Sequence, residues 1–532
     1  MTNTNIGIYT YLQARTALLK RQEIAILDVR EEAHFAEVHP LFAANLPLSR
    51  IETDVYNRIP NRLTTLIIYD NGEGLAIIAA ERLILYGYKN VILLEGGLQG
   101  WHGELFKDVN SPSKAFGELV ESKRHTPSLS AQEVKALIDN KEDIVILDAR
   151  RYDEYHTMNI PSSVSVPGAE LVLRVKELAP NPKTCVIINC AGRTRSIIGT
   201  QSLVNAGLDN PVYALRNGTI GWILAGQKLE HGQSRNIQTV SKENKEQAIA
   251  ASIKVADKAG VKRLTLHLLQ HLLKEKDRTN YLFDVRTPEE YLQSHLPGFL
   301  STPGGQLVQE TDHFAPVRGA RIILYDNDGV RANMTASWLA QMAWEVYVLD
   351  YVNNTALTEK GEAPLNLPLL PDLKVDQIIS AELLQYWLSE DKSLIIIDLA
   401  PASIYLKKHI PGAWYVLRSQ LKTALKQLSA PEKYILTSPD GIQARFVVGE
   451  LEKLTSAKVY LLDGGTNAWI AGNHKTESGE LNSHFASPQI DRYRRPYEGT
   501  NNTAEVMQSY LDWEYGLVDQ LYQDGTHGFF VI

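Results

Sequence analysis

Four short apolar runs, each closed by an aspartate, punctuate the chain: "AILDVR" to Arg30, "VILDAR" to Arg150, "YLFDVR" to Arg286 and "IIIDLA" to Ala400. A continuous apolar run of this length, ended by a polar residue, predicts a buried strand running into a loop. A second run follows each aspartate. It ends 42, 42, 42 and 40 residues later, at Asp70, Cys190, Asp326 and Ser438. Next come helix-like segments: "LAIIAAERLILYG", "SIIGTQSLVNAG", "RANMTASWLAQMA" and "ARFVVGELEKLT". In three of the four copies a third apolar run then leads to a tryptophan (Trp101, Trp222, Trp469), 31, 32 and 31 residues beyond the second-run end.

Three landmarks held in phase over four copies imply an internal repeat. Strands alternating with helices predict βαβ units, so the expected fold is α/β: four tandem domains, each a mostly parallel sheet flanked by helices, plus a C-terminal extension. The expected boundaries are 5–110, 125–235, 262–360 and 374–474, with 475–532 outside the repeat. Polar linkers are expected near 111–125, 231–247 and 360–372. The extension holds the basic knot "RYRRPY" and an amphipathic helix in "TAEVMQSYLDWEYGLVDQLY".

Composition narrows the class. At 532 residues the chain exceeds one core, and 44% hydrophobic with 22% charged residues is ordinary for a globular protein. A net charge of −8 offers no basic field for nucleic acid. The N-terminus lacks the basic-then-apolar pattern of a signal peptide, and no apolar run approaches the ~20 residues of a membrane span. Two cysteines exclude a disulfide scaffold and fit a reducing compartment, so a cytoplasmic location is expected. Nothing resembles a metal cluster, a phosphate-binding glycine loop or a nucleotide fingerprint, and no cofactor is expected.

The chemistry gathers in "INCAGRTRS" around Cys190. Together with the D-x-R after the first strand, the "H-[IL]-P-G" turns at His295–Gly298 and His409–Gly412, and the "GG-x-x-x-W" closes of copies 1 and 4, it makes the chain resemble the rhodanese family of sulfurtransferases over nearly all of residues 5–474. Copy 2 departs from that pattern at Asn159, where the family usually has His.

The resemblance implies that Cys190 is the nucleophile of a sulfurtransferase. It attacks a sulfur donor, holds the outer sulfur as a persulfide and passes it to cyanide, a thiol or a protein cysteine. A cysteine between a strand end and a helix N-terminus meets loop amides and the helix dipole, which should lower its thiol toward neutrality. Arg193 and Arg195 are expected to bind an anionic donor together with Ala191, Gly192, Thr194 and Ser196. Asp148, Arg150 and Glu154 are expected to form a supporting salt bridge. The relatives that use mercaptopyruvate usually carry a neutral loop, so the cationic "CAGRTR" favours thiosulfate.

A cysteine closing a buried strand is often inert, and the arginines that follow Cys190 argue against that here. Cys185 lies five residues away along an extended strand, roughly 16 Å at Cα, too far for a disulfide. Asp70, Asp326 and Ser438 cannot take up sulfur in this way, so the other copies are expected to be inactive. Two further readings stay open: a persulfide carrier or scaffold serving a partner enzyme, and a rhodanese-fold phosphatase. The phosphatase C-x5-R loop requires Arg at position 196, where this chain has Ser. Oligomeric state is not legible.

Overall fold

The computed structural model describes residues 6–237, 239–390, 393–499 and 501–532. Each copy builds a parallel sheet with the same strand order. In copy 2 the order across the sheet is Val164–Ser165, Ile144–Asp148, Cys185–Asn189, Val212–Leu215 and Ser128–Leu129. The equivalents of the strand that ends at the cysteine position are Thr65–Tyr69, Arg321–Tyr325 and Lys433–Thr437. All lie centrally, which explains their nearly unbroken apolar runs. The helix after each spans Leu75–Leu85, Thr194–Asn205, Arg331–Gln341 and Ile442–Glu452. The fourth sheet gains a sixth strand, His484–Phe485, from the extension.

The tryptophans close each copy from inside. Trp101, Trp222 and Trp469 are buried, and the Trp222 and Trp469 indoles each donate to a backbone carbonyl six residues on, at 2.8 Å. Asn159 performs the work of the missing turn histidine. It pairs with Glu230 as His295 pairs with Glu359 and His409 with Glu477. Its side-chain amide donates to the Ile160 carbonyl at 2.9 Å.

The copies do not stand apart on polar linkers. Copies 1 and 3 share one continuous apolar core. Copy 1 also meets copy 4 through Glu52 and Arg418, and copy 2 meets copy 3 where the Trp338 indole donates to Ser202 at 2.9 Å. The linker expected near 111–125 is instead a helix, Ser111–Arg124, with its first ten residues buried. Its apolar positions Ala115, Phe116, Leu119 and Val120 pack between the helices Thr194–Asn205 and Leu517–Asp524. Gly117 permits the approach: a Cβ there would lie 2.8 Å from the Thr194 methyl. The second expected linker becomes the helix Lys242–Lys258 from its twelfth residue on. Among the described residues the extension forms two α-helices, Ala504–Tyr515 and Leu517–Asp524. Among the described residues no helix is long and apolar enough to cross a membrane.

Candidate active site

Cys190 is the first residue after the strand Cys185–Asn189, and the loop Cys190–Arg193 leads into the helix that begins at Thr194. Neighbouring backbone holds this loop. The Cys190 carbonyl accepts from the Thr219 amide at 2.8 Å and the Thr219 hydroxyl at 3.0 Å, and the Ala191 carbonyl accepts from the Ile220 amide at 3.0 Å. Gly218, at φ +53°, allows it. Gly218 and Thr219 were not anticipated from sequence; the "NGT" that opens the helix Gly218–Leu224 was the available signal.

The remaining candidates surround the sulfur unequally. The Cys190 thiol lies 3.5 Å from the Ser196 hydroxyl, which donates to the Arg193 carbonyl. Ala191, Gly192 and Thr194 are buried in the loop wall. Arg195 makes a two-point pair with Glu154 at 2.7 and 2.9 Å. This pairing holds Glu154 down at about 2, although burial works the other way. The Arg195 charge also favours the Cys190 thiolate.

Three expectations need correction. Arg193 does not face the thiol pocket. It is 3% exposed and clamped by Glu118 at 2.7 and 2.8 Å, by Glu121, and by the Tyr515 ring 4.1 Å from its guanidinium carbon. Its charge is neutralised by the helix Ser111–Arg124, which occupies the stretch expected to be a polar linker. Glu154 does not close a salt bridge on Arg150; it pairs with Arg195, while Asp148 and Arg150 pair with each other at 2.9 and 2.8 Å. That ion pair is buried, and Asn189 ties it to the strand before Cys190 at 2.9 Å.

The third correction concerns the thiol. Cys190 is 1% exposed, and burial pushes its thiol up, with Arg195 and Ser196 pulling back and Glu514 adding to the rise. The helix Ala504–Tyr515 lays Tyr510 and Glu514 over Gly192 and strips water from the loop. Loop amides and helix dipole alone do not decide ionisation once the site is dry. The burial of Met507, Tyr510, Leu511 and Glu514 at helical spacing was legible as one stripe with an acid in it.

The other copies show what the loop holds. In copy 1 the Ala76 and Gly72 amides donate to the Asp70 carboxylate at 2.9 and 3.0 Å. In copy 3 the Ala332 and Gly329 amides donate to Asp326 at 2.7 and 2.9 Å. In copy 4 the Ala444 amide donates to the Ser438 hydroxyl oxygen at 3.2 Å. Each time the residue six positions on supplies a donor, and in copy 2 that position is Ser196. The loop geometry is therefore one that receives an anion.

A cleft of about 640 Å³ opens onto Arg195 and Glu154, walled by Arg151 and by Arg492, Arg494 and Arg495 of the basic knot, with Asp153, Asp491 and Glu498 interleaved among them. Among the described residues no three His, Cys, Asp or Glu side chains gather in a metal-holding group, and Cys185 and Cys190 are both unpaired.

The family model of the rhodanese-like domain matches residues 13–104, 130–225, 265–351 and 380–472. The chain is similar to a crystal structure of a thiosulfate sulfurtransferase from Pseudomonas aeruginosa, with 60% identity, 99% of this chain and 100% of that chain covered, and a TM-score of 0.97. It is 29% identical over 102 residues to YrkF of Bacillus subtilis (strain 168), provisionally described as a sulfur carrier protein; the match covers 19% of this chain and 54% of that relative, so the chain spans about half of its length. Four matches covering more than half of the residues, on four sheets of one strand order, establish that this chain belongs to the rhodanese-like domain family.

Proposed function

We propose that this chain is a thiosulfate sulfurtransferase whose nucleophile is Cys190. The Cys190 thiolate attacks the outer sulfur of thiosulfate. The new S–S bond forms as the old one breaks, and sulfite leaves with the bonding electron pair. The persulfide then meets a nucleophilic acceptor (cyanide, a thiol or a protein cysteine), which takes the outer sulfur and returns the thiolate. Two half-reactions through one covalent intermediate give ping-pong kinetics.

The observation that carries this reading is internal. The loop that presents a sulfur in copy 2 holds the carboxylates of Asp70 and Asp326 by two amides each in copies 1 and 3. An arrangement that receives a carboxylate suits a thiolate and a persulfide anion. The full-length similarity to the Pseudomonas aeruginosa enzyme agrees with it.

In this reading residues 125–235 form the catalytic unit. Residues 5–110, 262–360 and 374–474, with Asp70, Asp326 and Ser438 at the sulfur position, are structural, and 475–532 covers the site. Arg195 takes part in donor binding with the loop residues Ala191, Gly192, Thr194 and Ser196. The arginine-walled cleft is the entry path, and the covering helix yields for the donor to reach a sulfur that is 1% exposed. Asp148 and Arg150 hold the strand end. A reducing, cytoplasmic setting keeps the nucleophile unoxidised.

Intact-mass measurement after thiosulfate exposure tests the reading. One added sulfur atom, lost on cyanide treatment and absent in Cys190→Ser, is expected. An unmodified wild type, or sulfur retained by Cys190→Ser, overturns it.

A further inference from the structure

The helix Ala504–Tyr515 buries four side chains: Met507, Tyr510, Leu511 and Glu514. The fourth is a carboxylic acid only 1% exposed. Its Oε1 accepts from the Tyr510 hydroxyl at 2.7 Å, and its Oε2 has no hydrogen-bond partner. That free oxygen lies on the Cys190 loop: a Cβ on Gly192 would be 3.3 Å from it and 3.2 Å from the Tyr510 ring. A buried acid with an unused oxygen is costly, and here that oxygen faces the loop of the candidate nucleophile.

We infer that Glu514, carried by the C-terminal extension, is a positioning residue that sets the ionisation of Cys190 for sulfur transfer; this rests on the sulfurtransferase reading above. The groups facing it come from three elements. The linker helix brings Lys114 and Glu118, the loop brings Arg193 and Cys190, and its own helix brings Tyr510. Both cations have other commitments: Lys114 to Asp108 at 2.9 Å, and Arg193 to Glu118 and Glu121. Burial pushes Glu514 up to about 8, and its negative charge in turn raises the Cys190 thiol.

A buried thiol and a buried carboxyl on facing elements therefore oppose each other's ionisation. With Glu514 protonated, the loop amides and Arg195 hold the thiolate. With Glu514 ionised, Cys190 keeps its proton and a dianionic donor meets a second negative charge. Docking of the extension thus brings water exclusion and a protonation requirement to the same sulfur. Neither residue works in isolation, so the two titrate as a pair.

The test is thiolate absorbance at 240 nm against pH, taken as the difference between each full-length protein and its Cys190→Ser counterpart, beside the pH profile of sulfite release in a single turnover with thiosulfate. Glu514→Gln is expected to move the thiolate midpoint down by at least about one pH unit, with the sulfite-release profile following. Glu514→Asp is expected to keep the wild-type midpoint more closely. An unchanged midpoint in a folded Glu514→Gln protein overturns the inference. Should that variant fail to fold, Tyr510→Phe, which removes the hydrogen bond that favours ionised Glu514, is expected to keep Glu514 protonated to higher pH and so to move the thiolate midpoint downward; a midpoint identical to wild type there also overturns it. A wild type that takes up no sulfur from thiosulfate defeats the sulfurtransferase reading and leaves the absorbance result to judge the ionisation pair by itself.

Discussion

The Cys190 carbonyl oxygen occupies the space that a Cβ on Gly218 would need: the two atoms would be 2.4 Å apart. The same Cβ would lie 2.6 Å from the Gly192 carbonyl oxygen. Two backbone atoms of the candidate loop thus close on a residue 28 and 26 positions away in sequence, and the Thr219 and Ile220 amides beside it hold the loop by hydrogen bonds.

Gly218→Ala should therefore damage the loop from a distance. The added methyl meets backbone that cannot swing aside, and the φ of +53° disfavours any L side chain. A stability loss of about 2–4 kcal/mol is expected, read as a lower urea midpoint with unchanged slope. Sulfur transfer should fall more steeply than the folded fraction at the same temperature.

The two arginines should fail in different ways. Arg193→Ala strands Glu118, itself 5% exposed, without its partner. Loss of one member of a buried pair costs about 3–5 kcal/mol, so thermal stability should drop. The KM for thiosulfate in the protein that remains folded should change little. Arg195→Ala removes the cation that favours the Cys190 thiolate. Its kcat/KM for thiosulfate should fall by about tenfold or more near neutral pH, with partial recovery at higher pH. Equal effects of the two substitutions on kcat/KM in the folded proteins would contradict this division.

Asp398 supplies a pH test. In copies 1 to 3 the equivalent aspartate pairs with an arginine two residues on, but here that position is Ala400. Burial pushes Asp398 up to about 7, partly offset by the Ala400 amide and the Thr466 hydroxyl. The folded state thus binds the proton more tightly than the unfolded chain, whose aspartate titrates near ~3.9. The stability this proton contributes is fully present below that value and is lost as pH rises through 7. Asp398→Asn should accordingly be more stable than wild type at pH 8, by up to about 4 kcal/mol. The advantage should shrink below pH 7 and vanish near pH 4. Melting curves of both proteins across that range read it directly, and a constant difference would refute it.

The strand–loop–helix order of all four copies was legible in the chain. So were the Asp148–Arg150 pair, whose D-x-R pattern recurs at 28/30 and 284/286, and the place of Cys190 at a strand end. The burial of strands is written locally in unbroken apolar runs, and the Asp–Arg pairs close within three residues. The linker helix was not legible. Ser111–Arg124 has a polar composition, and only its docking between two other helices buries Ser113, Lys114 and Glu118.

The amino-acid order by itself determined four parallel sheets, a thiol at the end of the second strand of copy 2 and a loop shaped for an anion. Tertiary structure alone decided what surrounds that thiol. Arg193 is spent on Glu118, 75 residues earlier, and Glu514 reaches Gly192 from the far end of the chain. Local patterns record which face of an element avoids water. The sign of the field at a buried sulfur depends on which distant charges the packed elements carry to it, and on how completely they exclude the solvent that would screen them.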